Sequence, residues 1–424
     1  MKKIIYAVAI VILIVLIAVY YSLNYGNENG PVSVLINIDN VNDFDFKSHD
    51  SVMVAASFLY RSNDFKNFIQ GEHYRDAWSE PIKVPIVFLD TLHGGSEIVD
   101  VGGGKQTKSL KLQAQNGIVY TLRSINKNPN PLIPEAIKTL GLENIIIDGI
   151  SAQHPYGAIP VAYLAESIGL LHTNPKIVFV PKQQRLDKYN EEFGNKLFLL
   201  EYEKKNKVNW TNYENAIEII DTDNLIELKN KKRDRLKIDE ALLIKNRLFD
   251  LIIGDWDRHA KQWGWVLINE ENTLNAIPLA ADRDNAFFDV DGIIPSLVSN
   301  PNIVKELRSF EENIEYMSGL VQPFDRYFLI KTDADLFIEQ ANVLKDELSD
   351  KLIDDALNKW PKNIRELNAE DIRRKIISRR DNIVKHAANF KKRIDEAGNL
   401  ENWPLKGSED LKINDSLKNC FECI

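Results

Sequence analysis

Residues 248–288, LFDLIIGDWDRHAKQWGWVLINEENTLNAIPLAADRDNAFF, leave a chain few ways to fold. The apolar run Leu248, Phe249, Leu251, Ile252 and Ile253 stops at Gly254, as the end of a helix does. A polar loop follows, Asp255-Trp256-Asp257-Arg258-His259, with Lys261 and Gln262 close behind. Trp265-Val266-Leu267-Ile268 suits a strand, Glu270-Glu271-Asn272 a turn, and Ile277-Pro278-Leu279 a short edge strand. Asp282, Asp284 and Asn285 come next. If the strands pair, acids at both ends of one hairpin converge.

Phosphoryl transfer needs such a corner. A carboxylate must accept the proton of an attacking hydroxyl, and oxygen ligands must hold magnesium on the phosphates. Asp257 is the candidate base, and Asp282 or Asp284 the candidate metal ligand. A lone Asp-Arg-His would signify only a salt-bridged, solvated turn; the ordered set of helix, loop, hairpin and second acidic corner is more specific. That order resembles the atypical branch of the protein-kinase-like superfamily, which includes HipA-type, CotH-type, secretory-pathway and phosphoinositide kinases. The match runs from Ile253-Gly254-Asp255-Trp256-Asp257-Arg258-His259 to Gln262. Asp255 replaces an Asn of that pattern, and Gln262 replaces the Asn that binds a second metal. The resemblance implies that Arg258 and His259 orient the loop, and that ATP with Mg²⁺ or Mn²⁺ is the cofactor set.

Upstream, Gly102, Gly103, Gly104, Lys105 and Gln106 make a glycine-rich turn. A strand, an Asn116-Gly117 hairpin turn and the strand Tyr120-Thr121-Leu122-Arg123 follow. Backbone N–H groups without side chains approach phosphates closely. No Walker loop is present, because no Gly-Lys-Ser/Thr closes the turn. Arg123 stands where the kinase resemblance implies a phosphate-pairing lysine, with Lys127 and Lys111 as rivals. The acid partner of that cation is sought at Glu135 or Glu166. Ile177–Val180 and residues 197–201 read as the next strands, and Glu201 falls where an adenine-reading hinge begins. Further segments that resemble a bacterial kinase-like module are residues 71–78, 102–110 and 120–127. The likeness covers roughly residues 65–395 on motifs alone.

The implied fold is α+β: a bilobal protein-kinase-like body with a small β-rich N-lobe and a helical C-lobe, behind one N-terminal transmembrane helix. Residues 1–22 form the anchor, 23–80 a linker and helical extension, 81–203 the N-lobe, 204–400 the C-lobe and 401–424 a polar tail. Ser51, Val52, Val54, Ala55, Phe58 and Leu59 recur at helical spacing in the extension. His73 and Arg75 there read as packing or salt-bridge residues. Residues 203–237 read as a solvated charged face. Beyond residue 300, apolar stripes through Phe337, Ile353 and Ile372 predict core helices, the third capped by Asn368.

No charge interrupts residues 4–20, a run long enough to cross a bilayer. Lys2 and Lys3 precede it, and acids dominate the stretch just beyond it, so the N-terminus is expected in the cytoplasm and the body outside it. A net charge of −9 and the lack of a basic stripe argue against nucleic acid as a partner. The membrane, a nucleotide and an acceptor that the sequence does not name are the expected partners. The two cysteines, Cys420 and Cys423, cannot make a four-thiolate zinc site; they read as a dangling tail or a tail disulfide. Two rival functions use the same residues: a non-catalytic pseudokinase, suggested by Arg123 and Gln262, and a metal-dependent hydrolase.

Overall fold

The computed structural model describes residues 2–24, 32–103, 106–139, 141–270, 272–300, 304–401, 405, 408, 411, 413 and 415–423. The apolar leader forms the helix Lys2–Asn24, long and apolar enough to cross a membrane. Its C-terminal end touches the body, where Gln70 Nε2 donates to Ser22 Oγ at 2.8 Å.

Three sheets follow. The first is antiparallel and small: β1 (Val32–Leu35), β2 (Ser51–Ser57) and β3 (Ile82–Pro85). The helix expected from Ser51 onward is therefore a strand. Val52, Val54, Ala55 and Ala56 are all buried, and a short run covered on both faces carries no period that tells strand from helix. The helices Asp64–Gln70 and Arg75–Ser79 come next. Arg75 and Lys66 both pair with buried Asp148, so Arg75 is a buried salt-bridge residue.

β4 (Ser96–Gly102), β5 (Ser109–Ala114) and β6 (Val119–Ser124) form a meander, turned at the glycine-rich loop and at Asn116-Gly117. The chain then runs through the helix Ala158–Ser167 and the two-residue strand β7 (Leu171–His172). β8 (Lys176–Val180) and β9 (Lys196–Tyr202) complete an antiparallel sheet in the order β4-β5-β6-β9-β8. Leu110, Leu112, Leu122, Phe198 and Leu200 fill one core. Leu197 and Leu199, at the alternate positions of β9, join the main one.

The third sheet holds β10 (Ala216–Asp221), β11 (Leu236–Ile238), β12 (Trp263–Glu270) and β13 (Thr273–Ala280), in the order β10-β12-β13-β11 with β7 also on β13. Residues 203–237 are thus not a plain solvated face. They supply two strands and the helix Thr222–Lys232, whose Leu225, Ile226 and Lys229 are buried. β13, expected at an edge, is interior. β11 pairs at Leu274–Ala276 and β7 at Leu279–Ala280, so Pro278 sits at the break between them, where no ladder partner on that side needs its missing N–H.

Asp239 Oδ1 caps the helix Glu240–Ile253 by accepting from Leu242 N at 2.9 Å. Gly254 ends the helix at φ +73°, a left-handed cap where a Cβ would strike the Phe310 ring at 2.6 Å. The C-terminal helices Ala334–Glu347, Asp350–Leu357, Lys362–Asp381 and Ile383–Ala397 bury the expected stripes. Asn368 lies inside the third of these, which starts behind Pro361, so it caps nothing. The end of the polar tail also packs: Cys420 and Phe421 are buried, Cys420 is bonded to Cys423, and Lys229 Nζ meets Glu422 at 2.8 Å.

Candidate active site

β12 and β13 pair Trp263 with Ala280, so the loop entering one strand and the loop leaving the other emerge side by side. Two bonds sew them together. Ala281 N–H donates to the Gln262 carbonyl at 2.9 Å, and Arg258 Nη1 donates to the Ala281 carbonyl at 2.7 Å. Asp257, His259, Gln262, Asp282 and Asp284 all line a cleft of about 1080 Å³. Gly102, Gly103 and Gln106 of the glycine turn, with Arg123, Lys127 and Glu201, line the same cleft. Gly104 and Lys105 lie outside the described residues.

Arg258 does not face the cleft. Its side chain is buried beneath the loop, 3.1 Å from Asp250 and 3.5 Å from Asp255, with its guanidinium over the Trp263 ring. Asp250 is the hub of this floor. It also pairs with Arg247 at 3.0 Å and Arg283 at 2.8 Å. Burial disfavours its charge, but Arg258, Arg283 and Arg247 outweigh that and hold its pKa below the usual carboxylate range. Sequence reasoning passed over Asp250 because it sits in an apolar run. A single acid on the buried face of a helix was the available signal.

Cations and acids interlock across the cleft. Arg123 Nε binds Glu201 Oε1 at 2.9 Å, and its Nη1 binds Asp282 Oδ2 at 2.9 Å. Lys127 Nζ meets Asp284 Oδ2 at 2.8 Å. Burial works against the Arg123 charge, yet Asp282, Glu201 and Asp284 raise its pKa above the ordinary value. Burial also opposes ionisation of Asp282, but Arg123 and Lys127 bring its pKa down; burial and the neighbouring Asp282 push Asp284 up. Lys111 lies further from its acids, 3.7 Å from Asp100 and 3.8 Å from Glu203.

The acid partner of Arg123 is neither Glu135, which is exposed beside Lys138, nor the exposed Glu166. It is Glu201, whose side chain turns to Arg123 and Thr173 rather than serving as a free hinge acid. The register explains this. β6 and β9 pair Thr121 with Glu201, and Arg123, two residues on, shares their face.

The donor set suits a hard cation that also takes phosphate oxygens. Asp282 adopts φ +59°, and its buried Oδ1 has no hydrogen-bond partner while Oδ2 holds Arg123. Among the described residues no group of three His, Cys, Asp or Glu side chains forms a ready metal cage. Magnesium sites of one or two carboxylates completed by substrate phosphates need none.

No protein-family model matches the chain, and no curated protein matches it. Among solved structures it is similar to the Helicobacter pylori proinflammatory kinase CtkA, at 12% identity over 71% of this chain and 96% of that one, with a TM-score of 0.34. It is also similar to HipA of a Shewanella oneidensis toxin–antitoxin system, solved with HipB and operator DNA. That likeness has 10% identity over 70% of this chain and 68% of that one, with a TM-score of 0.32.

Proposed function

We propose that this chain is a membrane-anchored, kinase-like phosphotransferase that moves the terminal phosphoryl group of a nucleotide such as ATP to an acceptor hydroxyl. One observation carries the reading: a single cleft gathers a glycine turn, a strand-end cation and the acids from both ends of the β12–β13 hairpin. The strand order supports it, with the glycine turn between β4 and β5 and the cation on β6, as kinase N-lobes arrange them. In this reading residues 81–203 are the N-lobe, residues 204–400 the C-lobe, residues 23–80 an extension and residues 401–424 a tail that folds back. The Lys2–Asn24 helix is the anchor, with the body outside the cytoplasm.

Asp257 takes the proton of the acceptor hydroxyl. The acceptor oxygen then bonds to the γ-phosphorus, the bond from that phosphorus to the bridging oxygen breaks, and a nucleoside diphosphate leaves. Backbone groups of the glycine turn and the Arg123 guanidinium hold the phosphates. Asp282 and Asp284, with the Gln262 amide oxygen, would hold Mg²⁺ or Mn²⁺, which when bound neutralises charge on the β- and γ-phosphates. Arg258 and the Asp250 floor keep the loop in place.

The test uses the full-length chain in nanodiscs with γ-labelled ATP and Mg²⁺ or Mn²⁺. Label carried onto protein, lipid or a small acceptor, and lost in Asp257→Ala, supports transfer. Label released only to water points to a hydrolase. A second reading, a pseudokinase that binds nucleotide without transfer, is favoured by the engagement of Arg123 with both Glu201 and Asp282 and of Lys127 with Asp284. Binding without transfer supports that reading, and absence of nucleotide binding overturns both kinase readings.

A further inference from the structure

Four large apolar side chains stand out of the surface where the N-terminal helix meets the body. Phe65 and Phe68, on the helix Asp64–Gln70, are 38% and 67% exposed. Ile293 and Leu297, on the helix Ile293–Val298, are 46% and 65% exposed. The backbones joining these helices to their neighbours touch: a Cβ on Gly292 would lie 2.2 Å from Gly71 N. Residues 292–300 carry no charge. The N-terminal helix ends on this patch, with the Tyr21 ring edge-on to Phe65 at 5.6 Å and Ser22 bonded to Gln70.

We propose that this face docks on the bilayer surface, with Phe65, Phe68, Ile293 and Leu297 entering the interfacial layer beside the span. The proposal rests on the reading that Lys2–Asn24 crosses the membrane. An exposed apolar patch of this kind marks an interaction surface. Here the helix Asp64–Gln70, which carries Phe65 and Phe68, also grips the end of the anchor, so lipid is the occupant always within reach. Tyr20 and Tyr21 at the same end are residues that the lipid–water interface selects. The segment with Ile293 and Leu297 carries no charge, and Lys66, between Phe65 and Phe68, turns inward to Asp148 at 2.8 Å, so the apolar side chains are free to enter the headgroup boundary. Pro295, on the same helix as Ile293 and Leu297, lines the cleft, so docking sets that rim of the cleft against the headgroups.

The test places a nitroxide on an introduced cysteine in the full-length chain, reconstituted in phosphatidylcholine–phosphatidylglycerol nanodiscs. Cys420 and Cys423 are bonded to each other and leave the introduced thiol as the target. Labels go at Phe68→Cys, Leu297→Cys, Val15→Cys in the anchor, and Glu366→Cys at an exposed position of the helix Lys362–Asp381. Collision rates with dioxygen, which concentrates in lipid, are compared with those of a water-soluble nickel chelate. Docking predicts oxygen-dominated relaxation at Val15, Phe68 and Leu297, and nickel-dominated relaxation at Glu366. Oxygen dominance at Val15 alone, with Phe68 and Leu297 matching Glu366, overturns the docking and leaves the span standing. Nickel dominance at Val15 overturns the span and the docking together.

Discussion

Asp257 and Arg123 sit in the same cleft, and their substitutions should fail in different ways. Asp257→Asn keeps the side chain's shape and removes its basicity. It should lower phosphoryl transfer by about 10²–10⁴-fold and leave the nucleotide Kd unchanged, as expected for loss of a general base; transfer at the unsubstituted rate would remove Asp257 from that role. Arg123→Met leaves Glu201 and Asp282 without their shared cation. Breaking a buried pair costs about 3–5 kcal/mol, and the low end applies because a fifth of the Arg123 side chain is exposed. Arg123→Lys restores the charge without the two-pronged grip and should recover most of the stability, read from denaturant midpoints. His154, next to the cleft-lining Gln153 but not itself in the lining, gives a pH dependence independent of the proposed chemistry. It is buried, stacks on Trp360 at 4.3 Å and accepts from Tyr156 N. Burial pushes its pKa down to about 3, against a smaller opposing influence of the nearby Asn368 side chain. The unfolded chain returns it to about 6.5. Above that value neither state holds the proton and the neutral ring contributes fully to stability. As pH falls from about 6.5 toward about 3, the unfolded chain binds a proton that the native state refuses, and up to about 1.4 kcal/mol is lost per pH unit. His154→Phe keeps a ring on Trp360 and should remove one proton's share of that acid slope. His172 and His386, both held near 4 chiefly by burial, keep their own shares, as do His73 and His93, which burial also lowers.

At the level of elements, the glycine turn has a conformation that only glycine fills. Gly103 adopts φ +129°, and a Cβ there would lie 2.1 Å from the Thr107 carbonyl oxygen. Gly103→Ala therefore strains the turn by about 1–3 kcal/mol, which weakens nucleotide binding by about ten- to a hundred-fold if the turn must reopen to hold phosphates. The melting temperature should fall by only a few degrees, because strain of that size is small beside the unfolding entropy of a chain this long. Gly149→Ala is the control: it borders the same cleft, has an ordinary φ, and an added Cβ there meets nothing within 4 Å. Equal affinities for the two variants would separate the turn from nucleotide binding. This turn and the β12–β13 hairpin were legible in the sequence because both are local: an Asn-Gly turn, a glycine run and two short apolar runs around a polar turn need only neighbouring residues. The illegible parts depend on register or distant packing. The pairing of Arg123 with Glu201 appears only once Thr121 faces Glu201 across β6 and β9. Asp250 becomes a hub only when Arg258 and Arg283 return to it from the two loops. β2 was misread because an apolar run buried on both faces has no diagnostic period, and β10 and β11 because charged neighbours outnumber their few inward residues.

Over the whole molecule, the two ends of the chain bear on the same question, the compartment in which it works. The N-terminal helix carries its lysines before the apolar run, and the proposed topology on that ground has this end in the cytoplasm and the body outside it. At the other end, Cys420 and Cys423 are bonded to each other, and Phe421 between them is buried with its ring 5.0 Å from that of Phe328. Lys229 joins the same corner through Glu422 and lies over the Phe421 ring at 4.8 Å. The bond closes so short a loop that loop entropy gives it little influence on global stability, and the Phe421 wedge holds the tail. Its redox state is the informative quantity. Disulfides persist outside the cytoplasm and are reduced within it. Cells expressing the full-length chain should therefore yield protein whose two cysteines resist a thiol alkylator added at lysis and accept it only after reduction, a mass difference of two adducts. Deleting residues 2–22 retains the body in the cytoplasm and should make both cysteines reactive without reductant. Immediate alkylation of the anchored chain would place the body on the cytoplasmic side, where ATP is plentiful, and would invert the assigned topology while leaving the cleft chemistry intact.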